Sequence, residues 1–292
     1  MKGVQIINYM NKALFGYKNE TIKSNAVTSI MQDVLTCNVF SVKKDYTKNS
    51  ILTFLINIKN TGNEVIKNLT ITDNLSLYEY NGKKLNQLSY IENSTLIFVN
   101  GEENRIKPKL NNELIFDNIT IPEKGIVTIV YQTIVTKYAQ LDASNKIESE
   151  ITIKGEDVLK EIKLKYVINV ENKADLKIDK RIEPIPIVNK GEIKIIYQLF
   201  NYGNVDVNPQ DAGFFVDTFN PIIKNIKVEL NRTNSLQNNY TYNQTTGLFQ
   251  INKGIITVPK AKFIQTSEGD ISVEPGMTEI IISGKLWKLS SY

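Results

Sequence analysis

Two stretches of the chain alternate apolar and polar residues with the two-residue period of a half-buried strand. In Ile51-Leu52-Thr53-Phe54-Leu55-Ile56-Asn57-Ile58-Lys59 one face carries Leu52, Phe54, Ile56 and Ile58, and the other carries Thr53 and Asn57. In Glu192-Ile193-Lys194-Ile195-Ile196-Tyr197-Gln198-Leu199-Phe200 one face carries Ile193, Ile195, Tyr197 and Leu199, at a constant offset from the first set. Each strand runs into a turn, Asn60-Thr61-Gly62-Asn63 or Asn201-Tyr202-Gly203-Asn204, and its Gly-Asn pair predicts positive φ. Each then resumes toward an aspartate, Val65 to Ile71 before Asp73 and Phe214 to Val216 before Asp217. Agreement in strand, turn, next strand and acidic end predicts two copies of one module.

The same reading places further elements around this pair. In the first module we expect a hairpin turn at Asn81-Gly82 and strands at Leu96 to Val99 and Glu113 to Phe116. A turn at Pro122 to Gly125 then leads into a β-branched strand over Ile126 to Val135. Ser144 to Ile153 forms another strand, and Val158 to Val170 alternates again. In the second module Pro184 and Pro186 suit an edge or loop. The uncharged, Asn-, Gln-, Thr- and Tyr-rich stretch from Asn231 to Gly247 suggests a long exposed loop or hairpin. Glu274-Pro275-Gly276 repeats the turn at Pro122, and Met277 to Leu286 repeats the strand after it. Met1 to Glu20 has no clear period and is expected to be a mobile arm, or one short helix around Asn11 to Tyr17. Ser24-Asn25-Ala26-Val27-Thr28-Ser29-Ile30-Met31 reads as a strand, and its nearest relative in the chain is Ser144-Asn145-Lys146-Ile147-Glu148-Ser149-Glu150-Ile151.

The arrangement resembles the tandem bacterial surface repeat family called domain of unknown function 11. Members open with an Asp-Leu-x-Ile-x-Lys strand, pass through Asn-x-Gly and close with a Ser-Asn-x-Ala strand. The opening stands here as Asp175-Leu176-Lys177-Ile178-Asp179-Lys180 and, more degenerately, as Phe40-Ser41-Val42-Lys43-Lys44. The resemblance covers most of the chain past Leu35 and extends in kind to spore-appendage proteins of anaerobic spore formers. It implies an all-β fold of two tandem Ig-like β-sandwich modules with an N-terminal strand-bearing arm, which the alternation supports independently. The expected divisions are an arm over 1–34, a first module over 35–172 and a second over 173–292.

The second module runs to its penultimate strand without a Ser-Asn closing strand, whereas the arm carries such a strand with no module in front of it. An incomplete sandwich leaves unpaired backbone groups along an edge and an exposed apolar groove, and Thr21 to Val34 would repair both. The strand-donor residues are Ser24, Asn25, Ala26, Val27 and Ile30. Supplied within one molecule, the strand closes a permuted pair of modules. Supplied by a neighbour, it makes a head-to-tail contact that builds a fibre, the preferred reading because the first module intervenes between donor and acceptor. The other alternative is that Thr21 to Val34 packs as an extra strand on the first module.

Composition narrows the chemistry. The net charge of +4 is small for 292 residues and is spread along the strands, so no nucleic-acid partner is expected. There is no histidine and one cysteine, Cys37, which removes histidine-dependent acid–base schemes and most metal sites. Cys37 is expected as a small core residue, with an intermolecular disulfide as the alternative. No stretch approaches the ~20 apolar residues of a membrane span, and the N-terminus lacks the apolar core of a signal peptide. Together with the resemblance, this leads to an expected place on the spore surface, assembled from the mother-cell cytoplasm.

Lysine on an early strand, asparagine on the closing strand and a buried acid are the parts of an isopeptide bond. Lys44 with Asn145 is the candidate pair within the first module, with Glu113 or Glu123 as acid. Lys180 with a donated Asn25 is the candidate between subunits, with Glu274 or Glu279 as acid. Asp73 and Asp217 read as turn-forming residues, a calcium site being the alternative. No phosphate loop, serine elbow or metal cluster is visible, so neither a cofactor nor catalysis is expected. The expected function is a structural fibre subunit, a spore appendage or outer spore layer, whose partner is itself and which also contacts other spore-surface proteins. The alternative is an adhesion module that contacts a glycan or coat protein through sandwich-end loops such as Asn231 to Gly247.

Overall fold

The computed structural model describes residues 6–17, 20–24, 27–32, 34–187 and 190–287. It divides into two compact units, one of residues 1–139 and 146–169 and the other of 140–145 and 170–292. Regular structure among the described residues is almost entirely strand, with one short 3-10 turn at Pro209–Asp211.

The arm is made of strands, not of a helix. These are β1 (Ile6–Asn11), β2 (Leu14–Tyr17), β3 (Glu20–Lys23) and β4 (Val27–Gln32), arranged as two nested antiparallel pairs, β2 on β3 and β1 on β4. Gly16 between Phe15 and Tyr17 disfavours helix there, and antiparallel pairing satisfies the backbone that a short helix would leave open at its ends. Among the described residues, β4 pairs with β1 and neither pairs with a sandwich strand of the first unit. Of the strand-donor residues, Ser24 meets Ala13 through backbone and side chain at 2.9 and 2.8 Å, Val27 lies opposite Asn11, and Ile30 lies opposite Asn8. Asn25 and Ala26 lie outside the described residues.

The first unit follows with β5 (Leu35–Ser41), β6 (Asp45–Tyr46), β7 (Ile51–Asn60) and β8 (Ile66–Asp73). A hairpin of β9 (Leu77–Tyr80) and β10 (Lys83–Asn86) turns at Asn81 and Gly82, both at positive φ as the dipeptide predicts. Next come the short strands β11 (Leu88–Tyr90), β12 (Leu96–Val99), β13 (Glu102–Asn104) and β14 (Lys109–Asn111). The long strands β15 (Glu113–Ile121), β16 (Ile126–Val135), β17 (Lys146–Lys154) and β18 (Ile162–Val170) complete the unit. One sheet has the order β13-β12-β16-β7-β5, with β11 also on β16; the other has the order β14-β15-β8-β17-β18-β6. The alternation predicted for β7 holds, with Leu52, Phe54, Ile56 and Ile58 fully buried. Phe54 meets Tyr166 of the opposite sheet at a centroid distance of 4.6 Å. Cys37 is half-buried in β5, opposite Ile58.

The second unit contains β19 (Leu176–Glu183), β20 (Glu192–Asn201), β21 (Phe215–Thr218), β22 (Ile223–Leu230), β23 (Asn234–Ser235), β24 (Tyr240–Tyr242), β25 (Leu248–Ile251), β26 (Lys262–Gln265), β27 (Ile271–Glu274) and β28 (Gly276–Leu286). Its larger sheet, β19-β20-β28-β22-β23, repeats β5-β7-β16-β12-β13 of the first unit strand for strand. Facing it is the three-stranded sheet β21-β25-β24, and β26 pairs with β27 as a separate hairpin. The stretch from Asn231 to Gly247 is less exposed than expected. Leu236 is buried in the core, and Tyr240 and Tyr242 pack against that core, because their rings are the largest apolar surfaces there.

The two turns that announce the repeat are built alike, but not through positive φ. Neither Gly62, Asn63, Gly203 nor Asn204 adopts it. The buried asparagine that precedes each turn does the work. Asn60 donates to the Glu64 and Pro122 carbonyls at 2.7 and 3.0 Å and accepts the Gly62 N–H at 2.8 Å. Asn201 donates to the Val205 carbonyl at 2.8 Å and accepts from the N–H groups of Gly203 and Asp175 at 2.9 and 3.1 Å. Glycine is required at 203 by close approach, since a Cβ there would stand 2.1 Å from the Lys173 carbonyl oxygen.

Candidate assembly interface

The aspartate that ends β8 is the polar centre of the first unit. Asp73 is fully buried. Its Oδ1 accepts from Ser149 Oγ at 2.8 Å and from the Leu75 N–H at 2.9 Å, and its Oδ2 accepts from the hydroxyls of Tyr131 and, at 3.2 Å, Tyr166. The bond to Leu75 makes it a turn-former, as expected. The three hydroxyls make it more than that, and they occupy the lone pairs a calcium ion would need. Burial pushes its carboxyl above the ordinary carboxylate range against the lowering effect of Tyr131, Leu75, Ser149 and Tyr166. Burial and the Asp73 charge push both tyrosine hydroxyls well upward. Ser149 and Tyr166 come from the closing strands β17 and β18, where they stand directly opposite each other.

The corresponding centre of the second unit is half built. Asp217, in β21, accepts from the Tyr197 hydroxyl and from Lys180 Nζ at 2.6 Å. Burial alone would raise its carboxyl, but the bonds from Lys180, Tyr197 and the Thr218 N–H outweigh it and hold the group below its ordinary value. The tyrosine has changed strands between the units. Register puts Ile282 where Tyr131 stands and Ile56 where Tyr197 stands, so each sheet still offers one hydroxyl to its aspartate. No described strand supplies counterparts to Ser149 and Tyr166.

Strand order locates the gap. In the first unit β8 lies between β15 and β17; in the second, β21 pairs with β25 and, among the described residues, with nothing on its other side. The Phe219 N–H donates to the Gly247 carbonyl at 2.9 Å. By antiparallel alternation, the Val216 N–H and C=O therefore face the unpartnered edge. Val216 is 45% exposed.

The opposite wall of the gap is β19. Its residues Leu176, Ile178, Lys180 and Ile182 lie opposite Asn201, Leu199, Tyr197 and Ile195, on the core-facing side of the sheet. Yet Leu176 is 57% and Ile178 51% exposed. Leu35, Cys37 and Val39, at the same register positions in β5, are half-buried. An apolar strand face turned toward a core and left open is the groove expected of a sandwich short of one strand.

The candidate isopeptide residues fall differently. Register gives the place of Lys180 to Val39, not to Lys44, because the lysine motif read at Phe40 to Lys44 lies four to five residues beyond the strand position. Lys44 is exposed, and its backbone carbonyl accepts from Asn169 at 3.1 Å. The Asn145 N–H donates to the Asp142 carbonyl at 2.9 Å, and its own carbonyl accepts from Val170 at 3.1 Å. Lys180 has Asp217 as its acid, not Glu274 or Glu279. Glu279 pairs with Arg232 at 2.6 Å, and that bond holds its carboxyl below the usual range. Lys180 Nζ lies 2.6 Å from Asp217 Oδ2, and its candidate partner Asn25 lies outside the described residues.

No protein-family model and no curated protein matches the chain. Among solved structures it is similar to BcpA, the major pilin subunit of Bacillus cereus, at 11% identity over 94% of this chain and 81% of that one, with a TM-score of 0.34. It is similar to the pilus backbone protein RrgB of Streptococcus pneumoniae at 10% identity over 80% of this chain and 50% of that one, with a TM-score of 0.32. It is also similar to a family 123 glycoside hydrolase from Clostridium perfringens at 12% identity over 48% of this chain and 28% of that one, with a TM-score of 0.31. The sandwich fold assigned here stands on the chain's own strand order and packing.

Proposed function

We propose that this chain is a structural subunit of a bacterial surface fibre, polymerised by donation of a strand from the arm of one copy to the second unit of the next. The observation that carries the reading is the open edge of β21 together with the uncovered, core-facing Leu176 and Ile178 of β19. One inserted strand pairs the edge and covers the apolar residues at once, and backbone pairing supplies affinity while side chains set the register. Donor and acceptor are different surfaces of the same chain, so the contact is heterologous and propagates unless its rotation closes a ring. The finer assignment, to a spore appendage or outer spore layer, is supported by the sequence resemblance alone; labelling of intact spores with an antibody to the chain tests it.

Electron microscopy of the purified chain tests the fibre. Filaments are expected from the native sequence. Val216→Pro removes a donor from the open edge while the neighbouring pairs to β25 persist, and it should leave free particles with an unchanged circular dichroism spectrum. Free particles from the native chain, or filaments of unchanged length from Val216→Pro, would refute the proposal.

A further inference from the structure

We infer that the donated element is the β1–β4 hairpin of a second copy rather than a lone strand, and that it seats Ser29 and Tyr9 on Asp217 as Ser149 and Tyr166 sit on Asp73. This rests on the fibre reading and specifies its joint.

Three independent correspondences support it. The stretch from Ser24 to Met31 matches Ser144 to Ile151 with Ser29 at the position of Ser149. In the arm the residue opposite Ser29 is Tyr9, and in the first unit the residue opposite Ser149 is Tyr166. The sequence match concerns one strand only. The tyrosine on its partner is a second coincidence, and it is visible only through pairing. Third, the edges fit. Among the described strands β4 pairs with β1 alone and β21 with β25 alone, so joining them gives β25-β21-β4-β1, the counterpart of β15-β8-β17-β18. A hairpin arrives with one edge already satisfied, so docking does not require β4 to leave β1 and forfeit its ladder.

The match also sets the register. Asp73 lies opposite Ile151 and Thr72 opposite Thr152, so Asp217 should lie opposite Met31 and Val216 opposite Gln32 of the donor. Val27 and Met31 share a strand face with Ser29, as Ile7 does with Tyr9, and would bring apolar cover to the groove beside Ile178. A slip of one residue would turn that face outward.

Cysteine pairs on the full-length chain test the joint. In a Cys37→Ser background, Val216→Cys with Gln32→Cys places Cα atoms at about the 5.5 Å of a directly opposed antiparallel pair, within disulfide range. The expected result under mild oxidation is a ladder of covalent multimers, at least tenfold more abundant than from Val216→Cys with Met31→Cys. Tyr9→Phe and Ser29→Ala should each raise the concentration needed for assembly by about tenfold, the size of one hydrogen bond to a charged group. Those increases should vanish in an Asp217→Ala background, which leaves no side-chain oxygen to accept from either hydroxyl. A cross-link confined to the monomer would show that the chain closes on itself, and would overturn the second copy as occupant. Filaments without the 216–32 ladder would overturn the joint while leaving the fibre intact. Absence of both filaments and ladder would overturn both.

Discussion

Truncation of the two exposed residues of β19 separates assembly from folding. Leu176 and Ile178 already hide roughly half of their surface within the subunit and expose 57% and 51%. Full burial of a Leu or Ile side chain stabilises by ~1.5–3 kcal/mol, so each residue has about 1–1.5 kcal/mol left to gain when a strand covers it. Leu176→Ala with Ile178→Ala removes most of that gain. It therefore costs about 2–3 kcal/mol of docking free energy, equivalent to a rise of roughly 30- to 150-fold in the concentration at which fibres appear. The cost to the isolated subunit is smaller than for core positions, because no enclosed cavity forms beneath a half-exposed side chain.

The control is Ile195→Ala, on the adjacent strand and 3% exposed. A buried truncation of that size costs ~2–5 kcal/mol of folding stability. Sedimentation of a concentration series measures the assembly threshold, and urea unfolding at concentrations below it measures the subunit. The double variant should move the first far more than the second, and Ile195→Ala should move the second strongly. An unchanged assembly threshold in the double variant would refute the view that this face is covered in the fibre. So would a loss of subunit stability as large as that of Ile195→Ala.

Other outcomes follow from the repeat's buried polar groups. Asn201→Ala removes one donated and two accepted hydrogen bonds at a buried turn and should lower the stability of the second unit by about 3 kcal/mol in urea unfolding, with Asn60→Ala doing the same to the first. Gly203→Ala should be more damaging than Gly62→Ala, because its Cβ would meet backbone at 2.1 Å whereas that of Gly62 meets side-chain atoms at 3.2 Å; paired urea midpoints decide it. Asp73 has a folded pKa above its ordinary 3.8, so the stability it contributes is present below that value and is lost as pH rises through the raised one. The urea midpoint of the first unit should therefore decline with rising pH over that window, and Asp73→Asn should remove that part of the slope. Asp217 is shifted the other way, so its contribution is present above 3.8 and is lost as pH falls through the lowered value; Asp217→Asn should remove that loss.

The sheet built on β7 in the first unit and on β20 in the second was legible because its information is local. Leu52, Phe54, Ile56 and Ile58 repeat at every second position, and so do Ile193, Ile195 and Tyr197, so the period of a strand announces both the element and its buried face. The polar centres were not legible in that way. Asp73 and Asp217 were visible as matching strand ends, but what makes Asp73 a buried anchor comes from Tyr131, Ser149 and Tyr166, which are 58, 76 and 93 residues away. Alternation says that such residues face inward and cannot say that they converge. The strands before Glu20 were missed for a related reason. They are short and Gly16 interrupts the pattern, so no period emerges, and β1 becomes recognisable only through its partner. That is also why the joint was half seen. A single strand can be matched by its own residues, as Ser24 to Met31 was to Ser144 to Ile151, whereas a hairpin is defined by which residue stands opposite which. Register places Tyr9 against Ser29 and Tyr166 against Ser149, and the pair is the smallest unit that could complete an aspartate already holding its other tyrosine.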